Sequence, residues 1–161
     1  MIKSKLNLNG INLNEVKIEN AGKIFLLKGM ENSIVIEREM DKYMHIDFKI
    51  VDNIAFIRCT KFVEESKDIN ANIYITLKSE DVSISAKNIG SFQTEKDTYF
   101  NKIKLKIVNC GKINLLVESQ SLFFNLQNVI SFRVGGHTDK ITFHKNNVLI
   151  SNLRKLDVKN D

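Results

Sequence analysis

One ten-residue phrase occurs twice in the chain. KIENAGKIFL at Lys17–Leu26 and KIVNCGKINL at Lys106–Leu115 align without a gap and differ only at Glu19/Val108, Ala21/Cys110 and Phe25/Asn114. The phrase belongs to a wider frame anchored on Asn20, Asn88, Asn109, Asn128 and Asn147. Four residues before each anchor stand Val16, Ile84, Leu105, Phe124 and Phe143; two before stand Ile18, Ala86, Ile107, Leu126 and Lys145, so only the last unit breaks the apolar column. Four after stand Ile24, Phe92, Ile113 and Phe132, with Ile150 one residue early in the last unit.

Within each unit the apolar period is two. Ile103, Leu105 and Ile107 alternate with Lys102, Lys104 and Lys106, and Val82, Ile84 and Ala86 alternate with Ser83, Ser85 and Lys87. Alternation of this kind marks half-buried strands, and the abundant isoleucine suits a pleated surface. No stretch shows a helical period. A strand-forming unit of about 20 residues is too small to bury its own apolar face and needs the next one stacked on it, so the fold class expected is an all-β solenoid. The anchor asparagines suit left-handed bends, and their amides suit a ladder across stacked units. Gly22, Gly90 and Gly111, each two residues after an anchor, are assigned to the same bends.

The first half is less regular. Lys28-Gly29 and Asp52-Asn53 read as bends or hairpin turns, and the polar stretch Lys61–Asn72 as a loop. No linker interrupts the chain. The expected organisation is one domain over residues 1–161, irregular in 1–80 and regular in 81–161.

The order KIENAGKIFLLKGMENSIVIE, IDFKIVDNIAFIRC, NIYITLKSEDVSISAKNIGSF and then units of the KIVNCGKINL kind resembles the head GIN domain family of auto-transporter adhesins over Glu15–Arg154. The resemblance implies a right-handed parallel β-helix placed at the cell envelope or outside the cell. It carries no catalytic pattern.

Composition narrows the chemistry. With 161 residues, 43% of them hydrophobic, a packed core is affordable, while the absence of Pro and the 7 Gly exclude collagen-like and Pro-rich chains. The formal charge of +5 is spread along strands rather than blocked, and no Trp is present. Nucleic acid is therefore not an expected partner. Cys59 and Cys110 are too few for a zinc site or a disulfide framework, and spacing leaves a single bridge open. The N-terminal MIKSKLNLNG lacks a signal peptide's apolar stretch, which leaves the cytoplasm open as a location, and no run is long enough to span a membrane.

Candidate chemical groups are sparse. His137 beside Asp139, in the Gly-hinged segment 135–139, is read as part of an exposed loop. His144 falls on an outward row with Asn125, Lys106 and Ser85. Glu37, Glu39 and Asp41 are close in sequence but show no glycosidase spacing, and Glu64 and Glu65 fall in the charged loop. No catalytic residue, cofactor or metal ligand is expected. Stacking would instead present ordered rows to an extended partner: Ser83, Lys104, Phe123 and Thr142 in one, Ser91, Lys112 and Ser131 in another, and Gln93, Asn114 and Arg133 beside it. Lys104, Phe123, Lys112, Arg133 and Asn114 are the candidate ligand-facing residues, with Phe123 expected to be exposed. The first functional reading is a non-enzymatic surface module, adhesive or scaffolding, whose partner is a polysaccharide or another surface protein. The alternatives are a protein that binds or acts on anionic polysaccharide, and a cytoplasmic scaffold that polymerises through its terminal units as a homo-oligomer.

Overall fold

The computed structural model describes residues 2–38, 44–61, 71–95 and 98–159, and every regular element among them is a strand. These are β1 (Ile2–Asn7), β2 (Glu15–Lys28), β3 (Ser33–Arg38), β4 (Met44–Val51), β5 (Ile54–Lys61), β6 (Ala71–Leu77), β7 (Asp81–Thr94) and β8 (Thr98–Val158). Alternation sets their faces. In β6, Ala71, Ile73, Ile75 and Leu77 are buried while Asn72, Tyr74 and Thr76 between them face outward.

The stack is organised around β2. Along one edge it pairs in parallel with β7, from Val16 opposite Ile84 to Leu26 opposite Thr94. β7 pairs in parallel with β8 in turn, from Asp81 opposite Lys102 to Gln93 opposite Asn114. This register puts Val16, Ile84 and Leu105 in one buried column, and Ile24, Phe92 and Ile113 in another.

β8 runs for 61 residues without a break in its extended backbone, and if straight would extend about 200 Å. It cannot be straight. The Asn128 amide nitrogen donates to Asn109 at 2.9 Å, and that of Asn147 donates to Asn128 at 2.9 Å, each across 19 residues. The ladder continues from Asn109 to Asn88 at 2.8 Å and from Asn88 to Asn20 at 3.1 Å. All five asparagines hold left-handed backbone, with φ of 59° at Asn20, 55° at Asn88, 57° at Asn109, 53° at Asn128 and 55° at Asn147. Both properties expected of the anchors are therefore present. The short amide side chain lowers the cost of positive φ, and the neighbouring amides satisfy one another in file.

The glycines do something else. Gly90 and Gly111 are not in the left-handed region. A Cβ on Gly90 would lie 2.6 Å from the carbonyl oxygen of Gly22, and one on Gly111 would lie 2.8 Å from that of Gly90. They are small because successive backbones approach there, not because the chain bends at them.

The other edge of β2 splits at Asn20. Glu15–Glu19 pair in parallel with β5, and Lys23–Lys28 pair in parallel with β6. Antiparallel strands extend each face: β4 on β5 through a tight turn at Asp52 (φ 51°) and Asn53 (φ 62°), and β3 on β6 followed by β1 on β3. The turn read at Asp52-Asn53 is thus a hairpin. Lys61 belongs to β5, and Ala71 and Asn72 to β6, so the expected loop at Lys61–Asn72 is shorter at both ends; its remainder, with Glu64 and Glu65, lies outside the described residues, as do Glu39 and Asp41.

The main buried cluster runs from Leu8 to Val134, and a small second one gathers Met44, Cys59 and Ala71. Phe124 meets Phe132 edge-on at 5.0 Å, and Phe143 stacks on Phe132 at 4.9 Å. Lys145, where the column breaks, is exposed and holds its ammonium 5.7 Å from the Phe143 ring centre. The segment 135–139 is not a loop. It lies within β8, with Gly136 at φ 104° against the Val117 carbonyl and Thr138 fully buried on a hydrogen bond from Ser119.

Cys59 and Cys110 are both buried and free, so the bridge left open by their spacing is not formed. Burial pushes each thiol up to about 11.

Two outcomes follow. Replacing Asn109 by Ala loses the ladder and strains the bend, destabilising the protein by about 1–3 kcal/mol in urea unfolding, while Asn109→Gly costs less because glycine accepts the same φ; the opposite order would show that the bend is not the source of the effect. Neither cysteine reacts at an appreciable rate with a thiol-specific disulfide reagent at pH 8 in the native state, and both react in denaturant, because the thiolate is scarce and enclosed.

Candidate functional site

Because the strands are in register, outward side chains form files about 4.8 Å apart per strand. One file places Ser83 beside Lys104. The next step along β8 brings Phe123 to Lys104, whose ammonium lies 5.6 Å from the ring centre, and the His144 ring lies 5.7 Å away on another side. Phe123 is consequently half-buried between its neighbours, not the exposed aromatic expected.

Two further files lie beyond the asparagine bend. Lys23, Ser91 and Lys112 are successive partners, and so are Phe25, Gln93 and Asn114. Arg133 is exposed farther along β8. Of the five candidate residues, then, Lys104 and Phe123 come together on one side of the bend, whereas Lys112 and Asn114 stand on the other. Lys23 was missed as a candidate, although the repeated phrase aligns it with Lys112.

Two surface grooves accompany these files. The first, about 710 Å³, spans the asparagine bend, with Asn20, Asn88, Gly22, Gly90, Lys23 and Lys112 among its lining. The second, about 530 Å³, is lined by Lys17, Glu19, Asp47, Lys49, Phe56 and Arg58 among others. In the second, charges are already matched: Arg58 holds Glu19 at 2.6 Å, and the ammoniums of Lys17 and Lys49 lie 5.4 Å and 5.3 Å from the Phe56 ring centre.

Several other titratable groups are paired as well. His137 faces Asp157 at 3.3 Å and Asp139 at 3.6 Å, and His45 faces Asp47 at 2.8 Å. A hydrogen bond from Lys3 at 2.7 Å, with a second from Tyr74, holds the Glu37 carboxyl below its usual range. Among the described residues, no group of three His, Cys, Asp or Glu side chains is arranged to hold a metal ion. Nor is any helix there long and apolar enough to cross a membrane. The arrangement offers surfaces for hydrogen bonding and ion pairing.

None of the curated proteins compared with the chain matches it. Solved structures similar in fold include the following two. A protein from Parabacteroides distasonis, described as a putative lipid binding protein, is 12% identical with a TM-score of 0.55, covering 98% of this chain and 75% of its own. A protein from Clostridium sporogenes, described as a putative cell adhesion protein, is 9% identical with a TM-score of 0.53, covering 85% of this chain and 72% of its own. Residues 12–160 match the family described as putative auto-transporter adhesin, head GIN domain, and the chain belongs to that family.

Proposed function

We propose that the chain winds as a single-domain right-handed parallel β-helix and acts as a non-enzymatic adhesion module at the cell surface, contacting an extended partner along its outward files. The observation that supports this most directly is the parallel register from β2 through β7 to β8, locked at each turn by the asparagine ladder. Such register repeats the same outward position at a fixed interval, which suits a partner that is itself extended. Right-handed winding is the usual sense of parallel crossover connections. Membership of an adhesin family supports the surface role.

The file of Lys104 and Phe123, and beyond the bend the neighbouring files that carry Lys112 and Asn114 together with Arg133 farther along β8, are the contact surfaces in this reading. Purified protein arrayed against glycans and surface proteins binds at least one extended partner. Combined Lys104→Gln, Phe123→Ser, Lys112→Gln and Arg133→Gln substitutions weaken that binding about tenfold or more, with the urea midpoint nearly unchanged because all four side chains lie outside the core. Undiminished binding by this variant would remove the files from the function.

End-to-end association of copies is a second reading, favoured by one feature. The apolar side chains of the last turn, Ile141, Phe143, Val148, Leu153 and Leu156, are only partly buried against the core. Sedimentation equilibrium tests it: mass rises with concentration and Phe143→Ser suppresses the rise, whereas a constant monomer mass rejects it.

A further inference from the structure

We infer that the groove over the asparagine bend is a binding site for a linear acidic glycan bearing one carboxylate on every second sugar. This rests on the surface-module reading and names a ligand for it.

The groove crosses the strands rather than running along them. Asn72, Lys23, Ser91 and Lys112 follow one another on β6, β2, β7 and β8 as successive register partners, a span of about 14 Å. Gly22 and Gly90 are among its lining residues, and at Gly90 the Gly22 carbonyl lies too close for a side chain. Close stacking of the backbones thereby leaves two lining positions of the groove without a side chain.

Charge selects the ligand's sign. Lys23 and Lys112 both line the groove, no Asp or Glu is among its lining residues, and neither lysine has a carboxylate partner among the described residues. The second groove differs on this point, since its cations already face Glu19 and Phe56. The backbone positions of the two lysines stand two strand spacings apart with Ser91 between them, about 9.6 Å, which is close to the length of a disaccharide. Hence the inferred spacing of carboxylates.

Polar groups supply the rest. The amides of Asn20, Asn88, Asn72 and Gln93 and the Ser91 hydroxyl also line the groove, offering donors and acceptors suited to sugar hydroxyls. No aromatic residue lines it, so bases would find no stacking platform, and a polynucleotide is disfavoured.

The test uses the whole chain, immobilised, with three probes: hyaluronan oligosaccharides, which carry one carboxylate per disaccharide; neutral dextran; and polyuridylate. Hyaluronan binds, weakens as salt is raised, and loses about tenfold in affinity in the Lys23→Gln/Lys112→Gln variant. A Lys106→Gln/Lys140→Gln variant of equal net charge keeps the affinity. Failure of hyaluronan to bind, undiminished binding by the Lys23/Lys112 variant, equal binding of dextran, or preference for polyuridylate would each overturn the assignment. A chain that fails here yet still binds a partner through the Lys104–Phe123 file retains the surface-module reading; a chain that binds nothing on the array loses both.

Discussion

The structure depends on a strand that must turn without ceasing to be a strand. A parallel stack needs each turn to bend at the same place as its neighbour, because a one-residue slip would send every buried side chain outward. Asparagine meets the need twice. Its backbone accepts the left-handed region at 59°, 55°, 57°, 53° and 55°, and its amide reports the position of one bend to the next through a hydrogen bond. Register is thus fixed at the corner by polar groups, and between corners by columns such as Val16, Ile84 and Leu105.

That corner also divides the surface. Before it lie Lys104 and Phe123; after it lie Lys23, Ser91 and Lys112. Residues that look equivalent in a list of outward positions serve different faces, so a ligand that bridges Lys104 and Lys112 would have to wrap around the bend. The glycines beside the corner follow from the same stacking, since the carbonyls of Gly22 and Gly90 lie too close for a side chain at Gly90 and Gly111.

Much of this was legible in the sequence because the determining signals are local. The asparagine frame, the apolar columns and the Asp52-Asn53 hairpin each rest on a few neighbouring residues. What could not be read is long-range or depends on side-chain neighbours. β2 meets β7 although Asn20 and Asn88 are 68 positions apart, and no local period discloses that the intervening hairpins extend the far edge of the same sheet. The segment 135–139 carries the composition of a loop, yet Gly136 is there to clear the Val117 carbonyl and Thr138 to meet Ser119 within a strand. Phe123 sits in an outward phase, which does not tell that Lys104 and His144 flank it. Lys23 is the case where the information was present, in the repeated phrase, but the irregular surroundings of β2 concealed its equivalence to Lys112.

The one-way file of corner amides has a consequence for how the molecule ages. Hydrolysis of Asn88, Asn109, Asn128 or Asn147 to aspartate would replace a donor with a negative charge facing the next amide's oxygen, breaking a link and repelling its neighbour. The residues that follow the five asparagines are Ala21, Ile89, Cys110, Val129 and Val148. None is glycine, the successor that most readily lets its peptide nitrogen attack the amide, and three are branched at the β-carbon. The chain's one Asn-Gly pair, Asn9-Gly10, lies outside the file, so the amide most readily lost by this route is one whose loss breaks no rung.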